Sequence, residues 1–152
     1  MRTQTLLLAI AIASASATPA ASQSMTSGWG VVGNYKGQAM LFLGLDTLSG
    51  GETARNAIGL GVYIVDSGDQ APMHQTGYVF DCKSRSVQET EYWFFDSDLT
   101  LRNTLAAEEP AESWASASDL VASMPLMACG QAQPSVTFPD VTAAALYART
   151  PR

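Results

Sequence analysis

Two cysteines, Cys82 and Cys129, are the only ones in a chain of 152 residues, and they constrain its fold more than any other feature. Two distant thiols can form a bridge, a redox pair or part of a metal site. No CxxC spacing occurs, and two cysteines plus the single histidine, His74, fall short of the four ligands a structural zinc takes. In an oxidising compartment an even count reads as a disulfide. Closing so long a loop restricts the unfolded chain by roughly 4 kcal/mol in the entropy model, comparable with the net stability of a small domain. The bridge reading therefore hangs on whether the chain leaves the cytosol.

The first residues say that it does. Arg2 precedes an apolar run, Leu6 to Ala13, and small residues follow from Ser14 to Ser22. Ala15-Ser16-Ala17 fits an A-x-A cleavage site, and the whole is laid out as a secretory signal. The run is well short of the ~20 apolar residues of a spanning helix. We therefore expect residues 1–22 to be a cleaved signal peptide, cut between Ala17 and Ser22. Residues 25–130 are then a disulfide-stapled domain and 131–152 a C-terminal tail. No cysteine lies near the cut to take a lipid, so the expected location is periplasmic or secreted. Hydrophobic residues make up 47% and charged residues 14%, a globular composition, and the net charge is −6. Such a chain repels phosphate backbones and anionic lipid, so neither a nucleic-acid partner nor membrane insertion after cleavage is expected.

The body reads as strands separated by turn signals. A glycine-broken first strand, Gly28 to Tyr35, is expected at an edge and turns at Lys36-Gly37. Gln38 to Thr47 is apolar on both faces, as a central strand would be. After a loop at Ser49-Gly50-Gly51, Ala54 to Asp66 alternates: Ile58, Leu60, Val62 and Ile64 on one face, Gly59, Gly61, Tyr63 and Val65 on the other. Asp66 to Pro72 is a loop. His74 to Lys83 then places Tyr78, Phe80 and Cys82 on one face. Val87 to Asp96 divides Val87, Trp93 and Phe95 from Tyr92 and Phe94, and a short polar strand returns over Leu99 to Leu105.

Beyond the acidic loop of Glu108, Glu109 and Glu112 the period changes. Ser116 with Asp119 resembles a helix start, and Leu120, Val121, Met124, Met127 and Ala128 recur at helical spacing. Pro125 should kink or shorten this helix, which Cys129 and Gly130 end. The tail offers a short strand at Ser135 to Phe138 and a helix from an Asp140 cap through Arg149, either docked or free. The expected fold is α+β: an antiparallel β-meander sheet of five to six strands, with a C-terminal α-helix packed on it and tied by one disulfide, Cys82 to Cys129.

The landmarks run in order: Trp29, then Tyr78-Val79-Phe80-Asp81-Cys82, then Tyr92-Trp93-Phe94-Phe95-Asp96-Ser97-Asp98, then Trp114 and a helix ending at Cys129. Over residues 28–130 this order resembles the surface-adhesin protein E family of exported bacterial proteins. The resemblance implies a sheet-plus-helix fold tied by the Cys82–Cys129 bridge and a host-protein-binding role. No ligand-contacting segment matches well enough to carry over.

Chemistry is sparse. His74 is the only imidazole, and no serine sits in a G-x-S-x-G elbow. A small envelope enzyme or metal-dependent hydrolase would have to use His74 with nearby carboxylates. Asp66, Asp69 and Asp81 are too sparse for an EF-hand. Asp96 and Asp98 read as turn formers, and no cofactor motif is present. Tyr92, Trp93, Phe94 and Phe95 are candidates for a stacking platform or for core. The first expectation is thus a non-enzymatic binding or accessory protein with a protein ligand. The rivals are the His74 enzyme and an inhibitor or assembly module that adds a strand to a partner's sheet.

Overall fold

The structure is a computed structural model that describes residues 28–65, 71–114 and 119–151. The expected signal peptide, the loop residues Asp66 to Gln70 and the Ser116 cap lie outside the described residues.

Six strands form an antiparallel sheet of the expected kind: β1 Trp29–Tyr35, β2 Ala39–Gly44, β4 Ala54–Tyr63, β5 Met73–Asp81, β6 Ser86–Phe95 and β7 Leu101–Ala106. Three short strands extend it: β3 Ser49–Gly51 on β4, β8 Glu112–Ser113 on β6, and β9 Thr137–Phe138 on β1. The order is β7-β6-β5-β4-β2-β1-β9. β9 covers only the start of the first strand, at Trp29 and Gly30, so β1 is one place in from the edge there. The expected loop at Ser49-Gly50-Gly51 is itself laddered, Ser49 to Gly51 pairing with Ala54 to Asn56. Gln38 to Thr47 is not one strand; a 3-10 turn, Leu45–Thr47, follows β2.

Side-chain chemistry sets the turns. Lys36 and Gly37 both have positive φ, 51° and 71°, and Asn34 Oδ1 accepts from the Gly37 N–H at 2.7 Å. This is the primed turn that suits the twist of a hairpin. At the next tight corner Asp81 Oδ1 accepts from the Lys83 and Ser84 N–H groups, at 2.9 and 2.8 Å. Asp98 Oδ1 accepts from Thr100 N–H at 3.0 Å in the β6–β7 turn.

Two helices complete the fold: α1 Asp119–Ala128, and in the tail α2 Val141–Arg149. They lie on opposite faces, because the central strands are apolar on both. Under α2 pack Trp29, Phe42, Leu60, Val62, Met73 and Phe95. Val141, Ala144, Ala145 and Ala148, spaced at helical period, present a smooth ridge to them. Asp140 caps α2, its Oδ1 accepting from Ala143 N–H at 2.8 Å. Of the two readings of the tail, the docked one is observed.

On the other face Leu43, Ala57, Phe80, Val87 and Trp114 meet Met124 and Ala128 of α1. Val87 is here, and not with Trp93 and Phe95 as expected, because a bulge opposite Gly77 and Tyr78 breaks the alternation of β6. The helix runs through Pro125 to Ala128 rather than stopping there. Its end is closed by Gly130 (φ 72°) and by Gln131 N–H donating to the Leu126 carbonyl at 2.7 Å. Cys129, next to the helix end, is bonded to Cys82 just beyond β5, with Cα atoms 5.8 Å apart. The covalent tie holds a proline-interrupted helix against the sheet.

Candidate aromatic binding face

The α1-side face divides in two. One part is covered by α1, which packs on β1 and β2. The other, across the ends of β4, β5, β6 and β7, carries a ladder of rings. Tyr63 and His74 have ring centroids 5.6 Å apart, His74 and Phe94 6.3 Å, and Phe94 and Tyr92 6.4 Å. All four are half-buried. Register builds the ladder: His74 pairs with Gly61 on one side and with Phe94 on the other, and Phe94 pairs with Asn103.

Glycine makes room for it. A Cβ at Gly61 would stand 2.1 Å from His74 Cε1, and one at Gly59 would stand 2.7 Å from Tyr78 Cε2. The alternation of Gly59 and Gly61 in the sequence is therefore the imprint of two rings on the neighbouring strand. That signal was present in the sequence, but only the pairing register shows which rings use it.

His74 sits among rings. Its Nδ1 is buried and has no hydrogen-bond partner, and burial lowers its pKa from the usual 6.5. Among the described residues no carboxylate bonds to the imidazole. Tyr92 donates its hydroxyl to Glu89 Oε2. Its pKa is pushed up to about 12, first by burial and then by the neighbouring Glu89 and Glu109 carboxylates. Burial, then Glu89, raises that of Tyr78 as well.

A recess of about 270 Å³ opens over the ladder, lined by Tyr63, Ala71, Phe94, Arg102, Asn103 and Leu105. Leu105, at its rim, is 50% exposed. Arg102 forms an ion pair with Asp96, Nη2 to Oδ1 2.5 Å, across the β6–β7 turn. A second recess, of about 340 Å³, lies at the end of α2 beside Met40, Ile64 and Arg149.

The other candidates disperse. The aromatic strand is split by the sheet, with Trp93 and Phe95 in the α2-side core and Tyr92 and Phe94 on the open face. Asp81 shapes a turn; the Ser84 N–H and hydroxyl hold its carboxyl below the usual range. Asp98 is held down in the same way by Thr100. Glu108 and Glu109 are exposed, and Glu112 belongs to β8. Asp66 and Asp69 lie outside the described residues. Among the described residues no group of three His, Cys, Asp or Glu side chains is placed to hold a metal ion, and no helix is long and apolar enough to cross a membrane. Neither a family model, nor a curated protein, nor a solved structure matches this chain.

Proposed function

We propose that this chain is an exported, non-enzymatic binding or accessory protein, periplasmic or secreted, that meets a protein partner on the open half of its α1-side face. The observation that carries this reading is the ring ladder Tyr63–His74–Phe94–Tyr92, which ends in a recess rimmed by the half-exposed Leu105. Half-buried aromatics beside an apolar recess offer contact area at little entropic cost. The surroundings of His74 favour binding over catalysis, since general-base work needs an orienting partner, and its Nδ1 meets none. The disulfide is compatible with export. The landmark order that resembles the surface-adhesin protein E family supports a binding role as well.

Site-specific photocrosslinking in the native host tests the reading. A photoreactive residue at Leu105 should trap a discrete partner, whereas one at Leu146 on α2, 71% exposed, should not. Equal labelling from both positions, or none from Leu105, removes the proposal. Intact-mass analysis of exported material should show a chain shortened at its N-terminus with both thiols oxidised.

A further inference from the structure

The open face runs out to β7, the last strand of the sheet. All six of its residues are exposed, and Leu101 and Leu105 are 42% and 50% exposed. Edge strands that must stay unpaired are commonly shortened, or carry proline or lysine. β7, Leu101–Ala106, has neither; its one charge, Arg102, sits at a bulge at the start of the strand, and Asn103 to Ala106 carry no charge, proline or bulge. Its free side can be read from the ladder. Ala107 donates its N–H to the Thr90 carbonyl of β6. Hydrogen-bonding direction alternates along an antiparallel strand, so Leu105 and Asn103 also bond inward, while Thr104 and Ala106 point their N–H and C=O outward. One of these outward groups is already engaged by a side chain: the Thr104 N–H donates to Asn103 Oδ1 at 2.9 Å. An amide side chain holding an outward N–H is a displaceable stand-in for a partner strand.

Apart from Arg102, which is ion-paired with Asp96, the charges around this edge are acidic. Asp98 precedes β7, Glu108 and Glu109 follow it, and Glu91 pairs with Ala106 from β6. We propose that β7 accepts an extended, cationic polypeptide segment as an added antiparallel strand, with an apolar side chain of that segment entering the recess between Leu105, Asn103 and Phe94. Backbone bonds to Thr104 and Ala106 supply affinity, the recess selects the apolar side chain, and the flanking carboxylates select lysine or arginine on either side of it. A second copy of this chain is the poorer occupant. Pairing two copies about Thr104 would bring the Glu108–Glu109 pair of each beside Asp98 of the other, on chains that each carry −6. This inference rests on the binding face proposed above and adds the partner's chemistry and mode.

The test uses the full mature chain and a short synthetic peptide that alternates lysine with valine and phenylalanine. Two counterparts accompany it, one with glutamate in place of lysine and one N-methylated at alternate residues. At about 1 mM peptide, in the range where weak complexes form, amide exchange at Thr104 and Ala106 should slow. Binding should weaken as salt rises. The glutamate and N-methylated peptides should leave exchange unchanged. Thr104→Pro, which removes no bond to β6, should weaken binding by roughly tenfold or more while the melting curve is retained. Protection that appears elsewhere, equal binding of the N-methylated peptide, or no protection at all overturns the inference. Protection of Thr104 that rises with protein concentration alone would assign the edge to self-pairing and overturn it as well. If Phe94→Ser abolishes capture of the native partner while Thr104→Pro does not, the aromatic face stands and strand addition falls.

Discussion

β2 and β7 are strands of equal length with opposite fates. β2, Ala39–Gly44, lies between β1 and β4 under both helices, and Met40, Phe42 and Leu43 are almost wholly buried. β7, Leu101–Ala106, is exposed along its whole length. Apolar content alone does not separate them, since β7 also carries two leucines. What separates them is what lies above, below and beside. A strand with two laddered neighbours and a helix on each face is core; one with a single neighbour is surface. The sheet thus has a stabilising half, closed by α1, α2 and the disulfide, and a half whose α1-side face no helix covers among the described residues.

That contrast can be broken or sharpened by substitution. Phe42→Ala should cost roughly 3–5 kcal/mol, the usual loss for a fully buried phenylalanine, measured by urea denaturation. Leu105→Ala on β7 should stay within about 0.5 kcal/mol. Comparable losses at the two positions would dissolve the distinction. Replacing both cysteines with serine should remove about 2–4 kcal/mol. Exchange should rise first in α1, because Pro125 forfeits an intrahelical bond. Uniform loss across the sheet would show that the bridge does not act locally.

Asp140→Ala should cost about 1 kcal/mol, read from the thermal midpoint, with β9 and α2 loosening and β6–β7 unaffected. The smallest effect concerns pH. The folded pKa of His74 is lowered by burial, so between that value and the unfolded 6.5 the unfolded chain binds more protons than the folded one. Its contribution is therefore complete above pH 6.5 and is lost as pH falls toward the folded value. His74→Phe should flatten that slope in denaturation curves taken from pH 7 to pH 5. A slope that persists belongs to other groups.

Much of this architecture is legible in the sequence. Alternation at Ile58, Leu60, Val62 and Ile64 named a core face, and all four pack under α2. Cys82, Tyr78 and Phe80 were expected on one face, and they share it with α1. Asp140 and Arg149 bound the second helix as read. The candidate site was less legible. His74 was singled out as the lone imidazole, but its ring neighbours Tyr63 and Phe94 come from strands on either side, and Leu105 and Asn103 from one strand further. No local pattern encodes which residues will stand across from each other. The tail strand read at Ser135 to Phe138 contains β9, but the short strands β3 and β8 were invisible for a related reason. Two or three polar residues become strand only when a longer neighbour offers its unpaired groups.

Local chemistry thus set the elements. Period-2 alternation, glycine and aspartate at corners, a cap at Asp140 and a lone pair of cysteines act over a few residues or through one covalent bond. Coverage was set by packing. Which face each helix takes, why β2 is buried and β7 bare, and why His74 lies over Gly61 in a row of four rings all depend on register between distant segments. Register follows from the summed burial of the whole sheet, a quantity that no single stretch of the chain contains.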